Sequence, residues 1–371
     1  MQNAQFCRIF FFVVLNFFGS ALDERSVFGE NRSKKQNATA SWKGTIVDAH
    51  SQFGCEITAE EISRIIKKNR IAHTLLAARG CQGEEPLDSQ LRVLELVVGL
   101  KGLASFMIST KLAGMTRSGD PERGIEALLD ADRSYFQKAA GFAEIIVQHA
   151  PHETPQLSYE GINLDLKSAR IKQAIELVLR RKVPIVLHLE LNDYEEDSKK
   201  ILGQLKKLLK QNPMAQFVLI HMAQASVSEA RDLIANYQNI HFLTSTADVW
   251  SPIGKVVRKR KNIVAQTGWI NLFSDPPQDA PYKGWRKDYI LTMKWREDWK
   301  RLIEKYPNRF IFAMENVFST HWKRRYHKRL KIWRKAFSLL SEESARKVTC
   351  VNAKRLWRLA VNCFQLMRST N

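Results

Sequence analysis

Two histidines stand at the ends of neighbouring apolar runs. The run 183–187 (VPIVL) leads into His188, and the run 217–220 (FVLI) leads into His221. Apolar runs of this length are typical of strands that are buried on both faces of a parallel sheet. The carboxyl ends of such strands share one edge, where neutral imidazoles serve as metal ligands or proton carriers. Each histidine could instead cap its strand by bonding a carbonyl, but the occurrence of two in consecutive strands favours a site.

Two more residues repeat this pattern elsewhere in the chain. The run 45–49 (TIVDA) ends in His50, and the run 309–314 (RFIFAM) reaches Glu315. Three imidazole nitrogens and one carboxylate suit zinc, and also iron or manganese, because a catalytic metal needs about three protein ligands and an open position. Such a metal lowers the pKa of a bound water and polarises a carbonyl or phosphoryl oxygen.

The elements that would position these residues follow an α/β order. Eight strand-like runs alternate with helix-patterned segments, which predicts a closed (β/α)8 TIM-like barrel as a single catalytic domain. A doubly wound open sheet is the alternative, but no glycine-rich phosphate turn follows the first strand. The segment Val249–Met293 breaks the alternation. Its prolines and aromatic residues predict a long loop over the strand ends, a lid.

The amino terminus has the composition of an export signal. Arg8 precedes an apolar stretch, and Gly19, Ser20 and Ala21 offer the small residues of a cleavage site. We therefore expect a signal peptide at 1–21 and an exported protein, periplasmic or extracellular; the competing hypothesis is a retained membrane anchor at 6–22. A disordered polar spacer is expected at 22–43, the barrel at 44–360 and a tail at 361–371.

Four cysteines lie beyond the signal segment. Cys55, Cys81, Cys350 and Cys363 allow up to two disulfides in an oxidising compartment, and the sequence does not choose among the three pairings.

The chain is strongly basic. The excess of 58 Lys+Arg over 38 Asp+Glu gives a net charge of +20, which favours attraction to acidic surfaces, polymers or substrates. Basic runs stand at Lys255–Lys261 and Lys323–Arg334. The second run is typical of a solvated amphipathic helix, since no nucleic-acid-binding module accompanies it. Oligomeric state is not encoded in these patterns.

Several of these segments, taken together, resemble the amidohydrolase-related branch of the amidohydrolase superfamily. The similar segments are Ile46–His50, Pro184–His188 with His221, Tyr306–Phe312, and the closing stretches Leu340–Glu343 and Asn352–Leu356. The resemblance implies a metal-dependent hydrolase or decarboxylase on a distorted (β/α) barrel.

The chain departs from the family pattern at two positions. Gln52 replaces the second histidine of the first motif, and Glu315 replaces the final aspartate. The resemblance implies His50, His188 and Glu315 as metal ligands, with Gln52 a weak fourth. It also implies that Glu315 takes a proton from water, while His221 binds the reacting oxygen or replaces the lost ligand.

The remaining polar residues carry less weight. His149 lies just past the fourth predicted strand and is a secondary candidate for the pocket, whereas His73 and His241 are expected to be structural. Arg79 and Lys111, near the ends of the second and third predicted strands, could pair with an anionic substrate.

Two functions follow from these observations. The first is an exported metal-dependent hydrolase, with zinc as the first candidate metal, that cleaves an ester, amide or lactone, or catalyses a related decarboxylation. Its substrate would be a small molecule, anionic or aromatic in character. The alternative is a catalytically decayed barrel that serves as a binding or scaffolding protein, because Gln52 and Glu315 both depart from the metal motif.

Overall fold

The computed structural model describes residues 41–54, 57–79, 81, 84, 86–109, 139–149, 152–153, 158–159, 162–191, 195–245, 272–273 and 294–364. The predicted signal peptide 1–21, most of the spacer 22–43 and, apart from 272–273, the predicted lid 249–293 lie outside these ranges, as does Lys111. Among the described helices, none combines the length and apolarity that a membrane span requires.

Parallel strands form the central layer of the fold. In chain order the strands are β1 (Val47–Phe53), β2 (His73–Ala78), β3 (Ala104–Ile108), β4 (Gly141–Phe142), β5 (Ile145–Ile146), β6 (Gln148–His149), β7 (His152–Glu153), β8 (Ser158–Tyr159), β9 (Ile162–Asn163), β10 (Ile185–His188), β11 (Phe217–Leu219), β12 (Ile240–Leu243) and β13 (Phe310–Ile311). Only β6–β9 and β7–β8 pair in antiparallel fashion among these strands.

The parallel strands close into a barrel. One sheet has the order β1-β2-β3-β4 and the other β13-β12-β11-β10-β5. The fourth strand position is divided into two short pieces: β4 pairs with β3, β5 pairs with β10, and Ala143 and Glu144 lie between them. The last gap is closed by backbone hydrogen bonds from Ala49 N–H to the Phe312 carbonyl and from Glu315 N–H to the His50 carbonyl. The predicted (β/α)8 TIM-like barrel is confirmed.

Helices cover the outside of the barrel. They are α1 (Ala59–Lys68), α2 (Pro86–Gly99), α3 (Ala169–Arg180), α4 (Glu195–Gln211), α5 (Val227–Asn236), α6 (Glu297–Lys305), α7 (Tyr326–Ser338), α8 (Glu342–Arg346) and α9 (Asn352–Trp357). Their ends follow local chemistry: α1 begins with a capping box, in which Thr58 and Glu61 bond each other's backbone N–H groups. The predicted amphipathic helix is confirmed in α7, where Leu330 and Trp333 are buried while Lys328 and Lys331 are exposed.

Two apolar cores show which way the strand side chains point. The smaller core takes a residue from each of seven barrel strands and one from the link between β4 and β5, and therefore fills the barrel; these residues are Val47, Leu75, Met107, Ala143, Val186, Val218, Leu243 and Ile311. The larger core packs the alternate strand residues against the helices. Phe273, an aromatic residue of the predicted lid, belongs to this outer core and contacts Trp295 and Trp333.

Two histidines hold the amino-terminal side of the barrel. The ring of His73 bonds the Gly102 carbonyl and the Ser105 hydroxyl. The ring of His241 bonds the Asn308 carbonyl and the Gln216 side chain. Both are structural, as predicted.

The carboxyl-terminal segment fills the end of the barrel at which the strands begin, and we call it the plug. Cys350, Trp357 and Cys363 belong to the inner core, and a disulfide joins Cys350 to Cys363. Cys81 is also disulfide-bonded. The Thr45 hydroxyl donates to the Asn362 carbonyl, so the residue ahead of β1 is tied to the same plug. The segment after 360 up to Cys363, predicted as tail, contributes to this core.

We expect the disulfide to be a major source of stability for the plug. Replacing both Cys350 and Cys363 by alanine keeps two small apolar side chains but opens the loop between them, which spans a sequence separation of 13 residues. The double substitution should lower the free energy of unfolding by about 3 kcal/mol, because the unfolded chain is no longer constrained by the disulfide. Denaturant unfolding of both proteins measures the difference. A loss under about 1 kcal/mol would mean that packing alone holds the plug.

Candidate metal centre

Side-chain alternation in β10, continued in the residues just after it, directs two polar residues into the barrel. Val186 belongs to the inner core, while Leu187, Leu189 and Leu191 belong to the outer core. Because successive residues of a strand face opposite sides, His188 and Glu190 face inward. Both are almost fully buried.

The first and last strands bring two more residues to the same rim. Ile311 and Ala313 are inner-core residues, so Glu315 points inward two positions later. In β1 the pairing register shifts between Asp48 and Ser51. This irregularity places His50, which is 1% exposed, close to Glu315.

Three overlapping groups of possible ligands result. The groups are His50, Glu144 and Glu315; Glu144, His188 and His221; and His149, His188 and Glu190. Within each group the ligand atoms lie within 4.8 Å of one another, and every member is buried. Four of the predicted site residues, His50, His188, His221 and Glu315, are therefore brought together at the carboxyl-terminal end of the barrel.

His188 occupies the centre of this arrangement. Its Nε2 lies 2.9 Å from Glu190 Oε1 and its Nδ1 lies 3.4 Å from Glu144 Oε2. The ring stacks on His149 at 4.5 Å and meets the edge of His221 at 4.6 Å between centroids. The short contact favours an Nε2–H that donates to Glu190, which leaves the Nδ1 lone pair directed toward Glu144 and His221.

His221 is oriented by the neighbouring strand. Its Nδ1 lies 3.0 Å from the Ser245 carbonyl and 3.2 Å from Glu315 Oε2. A carbonyl can only accept, so Nδ1 carries the hydrogen and Nε2 keeps the lone pair. This second nitrogen is then the atom available to a metal ion or to a substrate.

The backbone at two of these residues is left-handed. Glu315 has φ of 50°, and four consecutive residues from His221 to Gln224 have φ between 48° and 56°. None is glycine, and each such residue costs about 1–2 kcal/mol. The turn is held by the hydrogen bond from Leu191 N–H to the Ala223 carbonyl. Strained conformations of this kind concentrate at functional sites, where the surrounding packing maintains them.

Gln52 lies on the same inner face as His50 and is 1% exposed. Its backbone N–H donates to the Asn316 carbonyl and its carbonyl accepts from the Trp322 indole. Within the described part of the chain, its side-chain nitrogen has no hydrogen-bond partner. The role of Gln52 as a weak ligand stays a prediction.

Sequence reasoning missed two carboxylates of the site and underrated one histidine. Glu144 lies within the apolar run 143–147, and an acidic residue in such a run is rarely buried without a partner. Glu190 stands two residues after His188, the spacing that puts both on one face of a strand. His149 joins the cluster through its ring contact with His188 and a distance of 3.6 Å from Nδ1 to Glu190 Oε1.

Comparisons with known proteins found matches in structure only. No protein-family model matches the sequence, and no curated protein matches it. Similar solved structures include an amidohydrolase from Burkholderia multivorans with bound zinc (12% identity, 85% of this chain and 99% of that chain, TM-score 0.45). A dihydroorotase from Campylobacter jejuni has 15% identity and a TM-score of 0.45, and the match covers 90% of this chain and 88% of that chain. An uncharacterised TIM-barrel protein from Bordetella bronchiseptica has 10% identity and a TM-score of 0.47, and the match covers 85% of this chain and 99% of that chain. At these identities and TM-scores, function has to be inferred from the residues of this chain.

The left-handed turn leads to a prediction about stability. Ala223 has φ of 55° and Ala225 has φ of −74°, and both are fully buried. Substitution by glycine removes a buried methyl group at either position, but it relieves backbone strain only at position 223, where φ is positive. Ala223→Gly should therefore be more stable than Ala225→Gly by about 1 kcal/mol in denaturant unfolding. Equal stabilities would show that the turn is unstrained.

Proposed function

We propose that this protein is an exported, divalent-metal-dependent hydrolase that adds water to the carbonyl carbon of an ester, amide or lactone. The observation that carries the proposal is the set of three overlapping groups of buried histidines and carboxylates at one end of the barrel. Nonoxidative decarboxylation is a variant that the same residues would serve. The disulfide between Cys350 and Cys363 supports export, because disulfides persist in oxidising compartments.

The donor set fits a divalent cation. Glu144 and Glu315 bring two carboxylates within 4.8 Å in a buried setting. Two negative charges at that separation repel each other and lose their hydration, and a divalent cation between them offsets both costs. Imidazole and carboxylate together suit zinc first, with iron or manganese as alternatives.

Specific residues would hold the ion. Glu144 and His188 each belong to two of the three groups, so they are the central ligands, with His50 and Glu315 on one side and His221 on the other. Glu190 fixes the ring of His188 through Nε2 and would increase the basicity of the opposite nitrogen. Gln52 is proposed as the weak additional ligand.

A bound divalent ion supplies Lewis-acid chemistry, which activates water at neutral pH and polarises a carbonyl oxygen. Glu315 then takes the proton from the attacking water and returns it to the leaving group. His221, whose Nδ1–H is held by the Ser245 carbonyl, would present its Nε2 lone pair to the ion and replace the ligand lost at Gln52. The 3.2 Å contact between His221 and Glu315 keeps the two side chains beside the same reacting centre.

Substrate preference is proposed to include a negative charge. Arg79 follows Leu75 and Ala77 on the inward-facing side of β2, at the rim of the barrel. Its guanidinium lies 4.3 Å from the centre of the Phe318 ring. A guanidinium beside an aromatic face is suited to a carboxylate or phosphate on a small molecule that also carries a ring.

Substitution of the central residues tests the proposal. The three variants to make are His188→Ala, Glu144→Gln and Glu315→Gln. Each should lose bound metal, or should hydrolyse a panel of esters, lactones and amides about 100-fold more slowly or worse. His73→Asn is the matched control, because it removes a buried strand histidine from the other end of the barrel. Full metal content and turnover in all three site variants would refute the proposal.

A further inference from the structure

A cationic surface on the outer wall of the barrel is separate from the site described above. Helices α1 and α7 lie side by side there, because Lys323, just ahead of α7, pairs with Glu61 at 3.0 Å and His327 Nδ1 lies 2.8 Å from the Asn69 side-chain oxygen. The Arg334 guanidinium adds hydrogen bonds to the Asn69 and Arg70 carbonyls. The two helices therefore present their charges as one surface.

This surface combines basic residues from both helices. We call Lys67, Lys68, Arg70, His327, Lys328 and Lys331 the basic face; all six are exposed. The sequence contains no Asp or Glu between 62 and 83 or between 316 and 341. Within the residues described, Lys67, Lys68, Lys328 and Lys331 form no ion pair, whereas Lys206 on α4 pairs with Asp232 at 2.6 Å.

The cations of the basic face lie close enough to influence one another. Partial burial, followed by the positive charges of Lys331 and Lys68, holds the pKa of His327 below its usual value. Lysines from two different helices thus act on one ring. Like charges gathered in this way repel each other, and a bound anion would relieve the repulsion.

The chemistry of the face discriminates among anionic partners. The apolar side of α7, including Leu330 and Trp333, is buried against the barrel. None of the large exposed apolar side chains found in the described residues lies in α1 or α7, and helices that bind membranes at the interface need such side chains. Tyr326 and Trp333 are buried, so among the described residues of the face only the His327 imidazole could stack on nucleic-acid bases, fewer rings than a stacking platform provides.

We propose that the basic face of α1 and α7 binds a linear sulfated polysaccharide. The disulfide of the plug fits a protein of an oxidising compartment, where such polymers occur and nucleic acid is scarce. Binding through this outer wall would hold the protein on an anionic matrix, and it does not depend on metal binding or hydrolysis in the barrel.

Heparin of defined length is the probe. Lys328→Glu with Lys331→Glu changes two exposed lysines three positions apart on α7, and Lys207→Glu with Lys210→Glu changes an equally spaced exposed pair on α4. The two variants have the same net charge. We expect the α7 variant to bind heparin about tenfold more weakly or worse at about 0.15 M salt, with a shallower salt dependence, and the α4 variant to stay within about twofold of the unmodified protein.

The outcomes separate the explanations. Equal weakening in both variants would show that net charge alone drives binding, and absence of binding by the unmodified protein would also overturn the proposal. Tighter binding to a DNA duplex or to phosphatidylserine vesicles than to heparin would overturn the choice of partner. If the α7 variant fails to fold by circular dichroism, Lys328→Gln with Lys331→Gln replaces it, with an expected loss of about threefold or more.

Discussion

Closure of the barrel between its first and last strands is the constraint on which the site depends. Asp48 makes this closure specific: its carboxylate accepts the Met314 N–H at 2.8 Å and the Ser51 hydroxyl at 2.8 Å. Burial raises the pKa of Asp48 to about 6, against the lowering effect of these hydrogen bonds. The Ser51 hydroxyl in turn receives the Asn316 side chain at 2.9 Å. Glu315 is thus bracketed by Met314 and Asn316, which are both fixed to β1, and is held close to His50.

Local strain and global packing act together at the rim. The left-handed residues from His221 to Gln224, together with Glu315, turn the chain sharply at the ends of their strands. The fully buried surroundings of His221 and its neighbours maintain the turn. The plug of the inner core closes the opposite end of the barrel.

The features that could be predicted are those that follow from the local periodicity of apolar residues in the sequence. His188 and His221 end apolar runs, and the alternation of such runs with helical patterns was enough to predict the barrel. Glu144 was missed because its strand is divided into two short pieces, and only pairing with two different neighbours shows that it lies at the rim. The left-handed turn has no glycine to signal it. The Cys350–Cys363 pairing depends on how the final segment folds back into the barrel, which spacing alone does not specify.

The most direct test is elemental analysis of the purified protein after gel filtration, compared with Gln52→His. We expect about one zinc, iron or manganese per chain in the unmodified protein, since Glu144 adds a buried carboxylate to the ligands that the sequence motif supplies. Gln52→His should then add little. A metal-free unmodified protein, with metal appearing only in Gln52→His, would contradict the account and identify a metal centre that has lost its function.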